Sequence, residues 1–402
     1  MTTILIIGGG AGGVSLSHQL LRKTLPSLSQ QTCTNYKVVL LSPSNDFYWK
    51  VSAPRGLVNP DLIPTSESFI PIKDGFQQFD ASQFEVIAGS AKELDADRKV
   101  VSALSENGEL IDVPYHVVVI ASGAASKSPM YCLSSSPKAT KDALLEMHDR
   151  LPKAQSILVA GGGPAGIETA GELAAEYGTT KSITLVSGHD RLLPRLRDVT
   201  GWEAEKKLKQ IGINIRHEVR VSAVSNTATN TTVTFSDGSE VTVEVFIDAT
   251  GWKPNTAFLP KEWLDERGHV LADTPTLRLK ATNAEDTYAL GSVTSFSNGS
   301  FFDVIDAIPA LAESIRLDQL RKAKTLDIQP GWLGWLWGTD HMKRRVNYVP
   351  RPGEIQFIPC GRDGGVGEFY GWRIPSFAIY HIKGKTFMME SARPLVEGEN
   401  YK

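Results

Sequence analysis

Residues 4–13 read ILIIGGGAGG, and residues 157–166 read ILVAGGGPAG. Each is an aliphatic run ending in Gly-x-Gly-x-x-Gly, the pattern of a buried strand feeding a tight turn and then a helix. Glycines in that turn let the backbone approach a pyrophosphate, whose charge sits on the helix N-terminus. One such turn constrains a chain little. Two of them, about 150 residues apart and each after a strongly apolar strand, predict two dinucleotides in one molecule.

The 402 residues exceed what a single core usually organises, so two or three domains are expected. At 41% hydrophobic and 22% charged residues the composition is that of a globular protein rather than a disordered one. A net charge of -3 carries no basic excess, so charge implies neither nucleic acid nor an anionic membrane as partner. Cys33, Cys132 and Cys360 lie far apart, with no Cys-x-x-Cys pair and no zinc-like spacing. Neither a thiol relay nor a metal centre is expected, and electrons leaving a cofactor would pass directly to a substrate. The first strand starts near Thr3, leaving no room for a signal or transit peptide, and Thr2 is not the glycine that N-myristoylation needs. A cytoplasmic, reducing location is the expectation.

Along the chain the same order of elements occurs twice. The first turn is followed by a helix from about Ala11 to Lys23, a polar loop LPSLSQQTCTN, a strand at 36–42, a meander between Glu85 and Ile111, and a closing strand HVVVIASG. The second is followed by the helix PAGIETAGELAAEY, the strand KSITLVSG, a meander and the closing strand VFIDATG. Matching order over four elements points to internal repetition rather than coincidence among glycine-rich turns. A further buried strand, AEDTYALGSV, and a helix over 301–323 return to the first unit. The predicted organisation is α/β, with a discontinuous first domain (1–125 and 250–324), a second domain (126–249) and a small C-terminal α+β domain (325–402).

Two nested Gly-x-Gly-x-x-Gly units, with closing strands that end ASG and ATG and a final strand YALGS, resemble the two-dinucleotide-binding flavoprotein oxidoreductases, glutathione-reductase-like in plan. Within these, GGGPAGIETAGEL and the tail IPCGRDGGVGEFYGWRIPSFAIYHIKGKTFMME are most similar to the apoptosis-inducing-factor-like, ferroptosis-suppressor-protein group in its fungal form. The resemblance implies two Rossmann-like domains, FAD in the first, NADH or NADPH in the second, and hydride passed through the flavin to a quinone-like acceptor. It assigns Gly8, Gly10 and Gly13 to the FAD pyrophosphate and Ala91 to the adenine. Gly123, Gly251 and Gly291 end strands beside the cofactors. Lys50 and Arg55 fall in the loop NDFYWKVSAPRG, which lines FAD in relatives, although solvated loop charge is the alternative for each. Gly161, Gly163 and Gly166 hold the nicotinamide dinucleotide.

Glu168, on the first turn after the second cradle, falls where relatives place a carboxylate close to the nicotinamide and flavin, so the resemblance makes it a candidate catalytic acid or base. The alternative is an acid that only complements the helix dipole. Asp303 and Asp306 share a face of the helix after YALGS and are catalytic candidates on the same terms. Phe47, Tyr48, Trp49, Phe301 and Phe302 are candidates for an apolar wall around a planar substrate. Ser187 ends the second strand of the second unit where an acid would select NADH, and His189, Arg191, Arg195 and Arg197 follow it. NADPH and dual specificity are both open. Ser42 stands at the equivalent place in the first unit, with Asp46 as a substitute four residues on, and Ser292 stands where relatives carry aspartate. The first cradle thus keeps its glycines and loses two carboxylates.

Trp332, Trp335 and Trp337 beside a basic cluster in PGWLGWLWGTDHMKRR match an interfacial anchor, so peripheral contact with an intracellular membrane is one reading and packing against the body the other. The run is too short to span a bilayer. The expected function is an FAD-dependent NAD(P)H oxidoreductase acting on an apolar, quinone-like or secondary-metabolite molecule. The alternatives are a flavoprotein tailoring enzyme with little use of nicotinamide, and a nucleotide sensor without catalysis.

Overall fold

In the computed structural model, which describes residues 1–133, 137–323, 346–350 and 353–401, the first aliphatic run forms β1 (Thr2–Ile7) and α1 (Ala11–Gln19) leaves the glycine turn. The chain stays helical beyond α1, through a wider turn at Leu20–Thr24 into Leu25–Thr32, where the polar composition predicts a loop. Leu25 and Leu28 are buried there, and Pro26 sits in the first turn, the one place a helix tolerates it. Then come β2 (Tyr36–Ser42), β3 (Phe84–Asp95), β4 (Val100–Ser105), β5 (Leu110–Pro114) and β6 (Val117–Ile120).

The second unit contains β7 (Ser156–Ala160), α2 (Pro164–Tyr177), β8 (Ser182–Val186), β9 (Asn214–Arg216) and β10 (Val245–Asp248). The chain then returns through β11 (Thr287–Ala289) and α3 (Phe301–Lys322).

The first sheet has the order β11-β6-β1-β2-β3-β4-β5. Phe84–Ala88 of β3 pairs parallel with β2, whereas Gly89–Asp95 pairs antiparallel with β4 around a bulge after Ala91. One long strand therefore belongs to both the parallel sheet and the meander. Ile4, Leu5, Ile6 and Val117 to Ile120 are fully buried, as expected for strands covered on both faces. The second unit repeats the plan with the parallel order β9-β8-β7-β10 and a separate antiparallel sheet over 221–243. The two crossings between units, Ala124–Ser126 and Trp252–Pro254, pair antiparallel as one ribbon.

The C-terminal elements join the apolar clusters of both units. Ile358, Cys360 and Val366 share a cluster with Ile157 and Ile167, while Ala392, Leu395 and Val396 share one with Ile4 and Val14. Trp332, Trp335 and Trp337 lie outside the described residues.

Candidate active site

The two glycine turns have the same geometry. Gly8 and Gly161 have φ of +124° and +128°, the left-handed side that favours glycine. A Cβ on Gly13 would stand 1.8 Å from the Gly8 carbonyl oxygen, and one on Gly166 would stand 1.9 Å from that of Gly161. Close packing of helix on strand thus requires the third glycine of each motif. Gly10 and Gly163 behave in the opposite way: nothing lies within 4 Å of where their Cβ would be. Each turn therefore has a packed side and an open side, and the open side faces the end of a helix with unpaired N–H groups. That fits a pyrophosphate.

A cleft of about 1320 Å³ runs from the first turn to the helix of the second. Gly8 and Gly10, Ser42, Ala91, Gly123, Gly291 and Ser292 line it from the first unit, and Pro164, Ala165, Glu168 and Gly251 close it from the second side. Among the described residues its charged lining consists of Lys50, Lys92, Lys138 and Lys383 against Glu106 and Glu168, an excess of cations suited to a polyphosphate guest. Lys50 is open to the cleft's water yet ringed by protein, and that desolvation holds its ammonium below the ordinary lysine range.

Glu168 is only 4% exposed and accepts a hydrogen bond from Lys383 Nζ at 2.5 Å. Burial pushes its carboxyl pKa up, and the Lys383 charge opposes that shift. Tyr131 lines the cleft beside this pair, its hydroxyl 2.8 Å from Thr169 Oγ1, with its phenol pKa raised by burial. Lys383 is absent from the sequence reading. Its signal, a lysine in IKGKTFMME, carries no spacing that ties it to a glutamate 215 positions away.

Several expected residues stand elsewhere. Arg55 is buried in a bidentate pair with Glu172 (2.8 and 2.9 Å), donates to the carbonyls of Gly384 and Lys385, and lies over the Phe387 ring. It ties the two units and the C-terminal segment together and does not line the cleft. Asp303 accepts hydrogen bonds from Ser297 and from Tyr348, and neither it nor Asp306 lines the cleft. The helix presents Phe301 and Val304 there instead, so the 303/306 face and the 301/304 face of α3 point different ways. Phe302 packs on Phe357 outside the cleft. The other aromatics, Phe47, Tyr48, Trp49 and Phe301, do line it, with Trp49 and Phe301 edge to face at 5.7 Å.

The two strand-end serines play matching roles. Ser42 Oγ and Ser187 Oγ lie 2.3 and 2.5 Å from where a Cβ would stand on Gly9 and Gly162, the middle glycines of the two cradles. Both hydroxyls also accept from nearby backbone N–H groups, those of Ser44 and His189. Asp46 is tied to Lys141 at 2.9 Å. Arg191 donates to the carbonyls of Leu193, Pro194 and Leu196 and pairs with Asp198, so it organises its own loop rather than facing the cradle.

A model described as pyridine nucleotide-disulphide oxidoreductase matches residues 2–314. The chain belongs to that family. Among pyridine nucleotide-disulphide oxidoreductases and their kin, it is 31% identical to oxidoreductase phnG of Penicillium herquei over 99% of this chain and 96% of that protein. Human ferroptosis suppressor protein 1 is 23% identical over 97% of this chain and 94% of the relative, in line with the resemblance of the GGGPAGIETAGEL and tail motifs. The solved structure of NDH2 from Plasmodium falciparum in complex with NADH has the same fold, with a TM-score of 0.66 at 12% identity, covering 100% of this chain and 99% of that one. The protein is an oxidoreductase of the flavin- and nicotinamide-dependent type, and its two cradles and cationic cleft fit FAD and NAD(P)H.

Proposed function

We propose that the protein transfers electrons between NAD(P)H and a planar, apolar small molecule, quinone-like or a secondary metabolite, held against the aromatic end of the cleft. The observation that carries this reading is the continuity of Phe47, Tyr48, Trp49 and Phe301 with the lining contributed by both units. FAD on the first cradle and a nicotinamide on the second supply the hydride chemistry when bound. The chain's own residues do the rest. The N–H groups at the open side of each turn bind pyrophosphate, and the lysines offset its charge. Phe47, Tyr48 and Trp49 back this end of the cleft from within the core and Phe301 is the ring of the four only partly buried, so the end they form is apolar and excludes water. Glu168 and Lys383 hold a hydrogen bond at the wall between the units, so that a proton taken up or released in the reaction has a carboxylate and an amine at hand at Glu168 Oε1 and Lys383 Nζ.

Phe301→Ala in the intact protein tests the site. With a water-soluble planar quinone as acceptor, its KM is expected to rise about tenfold, the loss of one buried aromatic contact of roughly 1.5 kcal/mol, while the affinity for NADPH stays unchanged. Failure of any quinone to be reduced, or an unchanged acceptor KM in the variant, contradicts the reading.

A further inference from the structure

NADH and NADPH differ at the ribose 2′ position, which lies at the end of the second strand of a nucleotide-binding unit. β8 ends at Val186, and the next residue, Ser187, is fully engaged: its hydroxyl donates to the Arg191 carbonyl at 3.1 Å and accepts from the His189 N–H at 3.2 Å. The arginines that follow are engaged too. Arg191 holds its own loop and Asp198, Arg195 pairs with Glu354, and Arg197 lies 3.5 Å from Glu368.

A different cation reaches this strand end. The segment 216–220 runs beside Ser187–His189, with Ser187 N donating to the Arg216 carbonyl at 2.9 Å and Val219 N to the Ser187 carbonyl at 3.1 Å. This register lays the Arg220 side chain across Gly188. Its Cγ and Nε stand 2.8 and 3.0 Å from where a Cβ on Gly188 would be, so the missing side chain at 188 is what lets the arginine lie over the strand end. Arg220 is exposed, and its guanidinium has no carboxylate or hydrogen-bond partner among the described residues. The acid nearest in sequence after the strand, Asp190, lines a separate surface depression with Lys206 and His217.

We propose that Arg220 binds the 2′-phosphate of the dinucleotide on the second cradle, and that the protein uses NADPH in preference to NADH. The proposal rests on reading the second cradle as the nicotinamide site. A planar guanidinium presents paired donors to phosphate oxygens, and Ser187 stands where a carboxylate would bond a free 2′-hydroxyl.

The test is calorimetric binding of NADP⁺, NAD⁺ and 2′,5′-ADP to the purified full-length protein and to Arg220→Gln. The protein is expected to bind NADP⁺ at least about tenfold more tightly than NAD⁺, with 2′,5′-ADP competing for the site. Arg220→Gln is expected to weaken NADP⁺ and 2′,5′-ADP by about ten- to a hundredfold while NAD⁺ changes by less than roughly twofold. Raising the salt concentration narrows the preference in the unmodified protein. Equal affinity for the two dinucleotides, or an unchanged preference in the variant, overturns the role of Arg220 and leaves the cradle's assignment standing. Absence of binding by either dinucleotide overturns that assignment and the proposal with it.

Discussion

Gly10 and Gly13 sit three positions apart in one turn and answer to different constraints. A methyl at 13 meets the Gly8 carbonyl oxygen at 1.8 Å, whereas a methyl at 10 meets nothing within 4 Å. Gly13→Ala is therefore expected to lower stability by about 1–3 kcal/mol in urea unfolding. Gly10→Ala is expected to leave stability within about 0.5 kcal/mol while lowering FAD retention, because its methyl fills the open side of the turn. Equal losses of stability in the two variants would show that the turn has no such open side. Arg55→Ala removes the bidentate partner of buried Glu172, leaving it only Arg362 at 3.8 Å, and is expected to cost about 3 kcal/mol, read by the same unfolding measurement. The glycines were legible in the sequence because backbone geometry demands that residue type at fixed spacing. Arg55 was not, since its partner Glu172 is 117 positions away and a loop arginine looks the same beside a cofactor or inside an ion pair. Asp303 and Asp306 were misplaced for a related reason: spacing puts two acids on one face of a helix but does not say which face meets the cleft.

At the scale of elements, the strands, the two cradle helices and α3 follow from periodicity, although the last predicted strand, AEDTYALGSV, is extended only over Thr287–Ala289 and turns at Gly291–Val293. The helical continuation over Leu25–Thr32 was hidden by its polar composition, with only Leu25 and Leu28 buried. The attachment of the C-terminal segment was hidden as well, because it depends on contacts across almost the whole chain. His18 on α1 is fully buried, stacks on Phe76 at 4.0 Å, and meets the Val396 carbonyl through Nε2 at 2.7 Å. Gly398 packs directly on its ring. Burial lowers the His18 pKa from 6.5 to about 4, with the Val396 hydrogen bond opposing the shift. A base whose folded pKa is depressed contributes stability that is complete above its unfolded pKa and is lost as pH falls through the folded one. The docking of residues 396–401 is thus expected to weaken between pH 6.5 and about 4, by at most roughly 3 kcal/mol. Hydrogen exchange of the C-terminal amides should accelerate over that window beyond the intrinsic pH effect, and His18→Leu should flatten the dependence. An unchanged profile in the variant would place the pH sensitivity elsewhere.

For the whole molecule, two copies of one plan are joined by a paired ribbon at 124–126 and 252–254, and the C-terminal segment packs on both. The cleft where the copies meet collects the open side of the first cradle, the first turn of α2, four lysines and an aromatic wall. No helix among the described residues is long and apolar enough to cross a membrane. The two serines that replace expected acids, Ser42 and Ser292, line this cleft, with Ser42 packed against the middle glycine of its turn. Both are compatible with a dinucleotide held by glycine N–H groups and lysines rather than by carboxylates. The central claim is that the first cradle holds FAD and the second feeds it from NADPH. The visible absorption spectrum of the purified protein, followed by anaerobic titration with NADPH, tests it most directly. The account predicts a flavin spectrum, retained or restored by added FAD, that bleaches on adding about one equivalent of NADPH. A protein that stays colourless with FAD present, or a bound flavin that NADPH and NADH both leave oxidised, would contradict it.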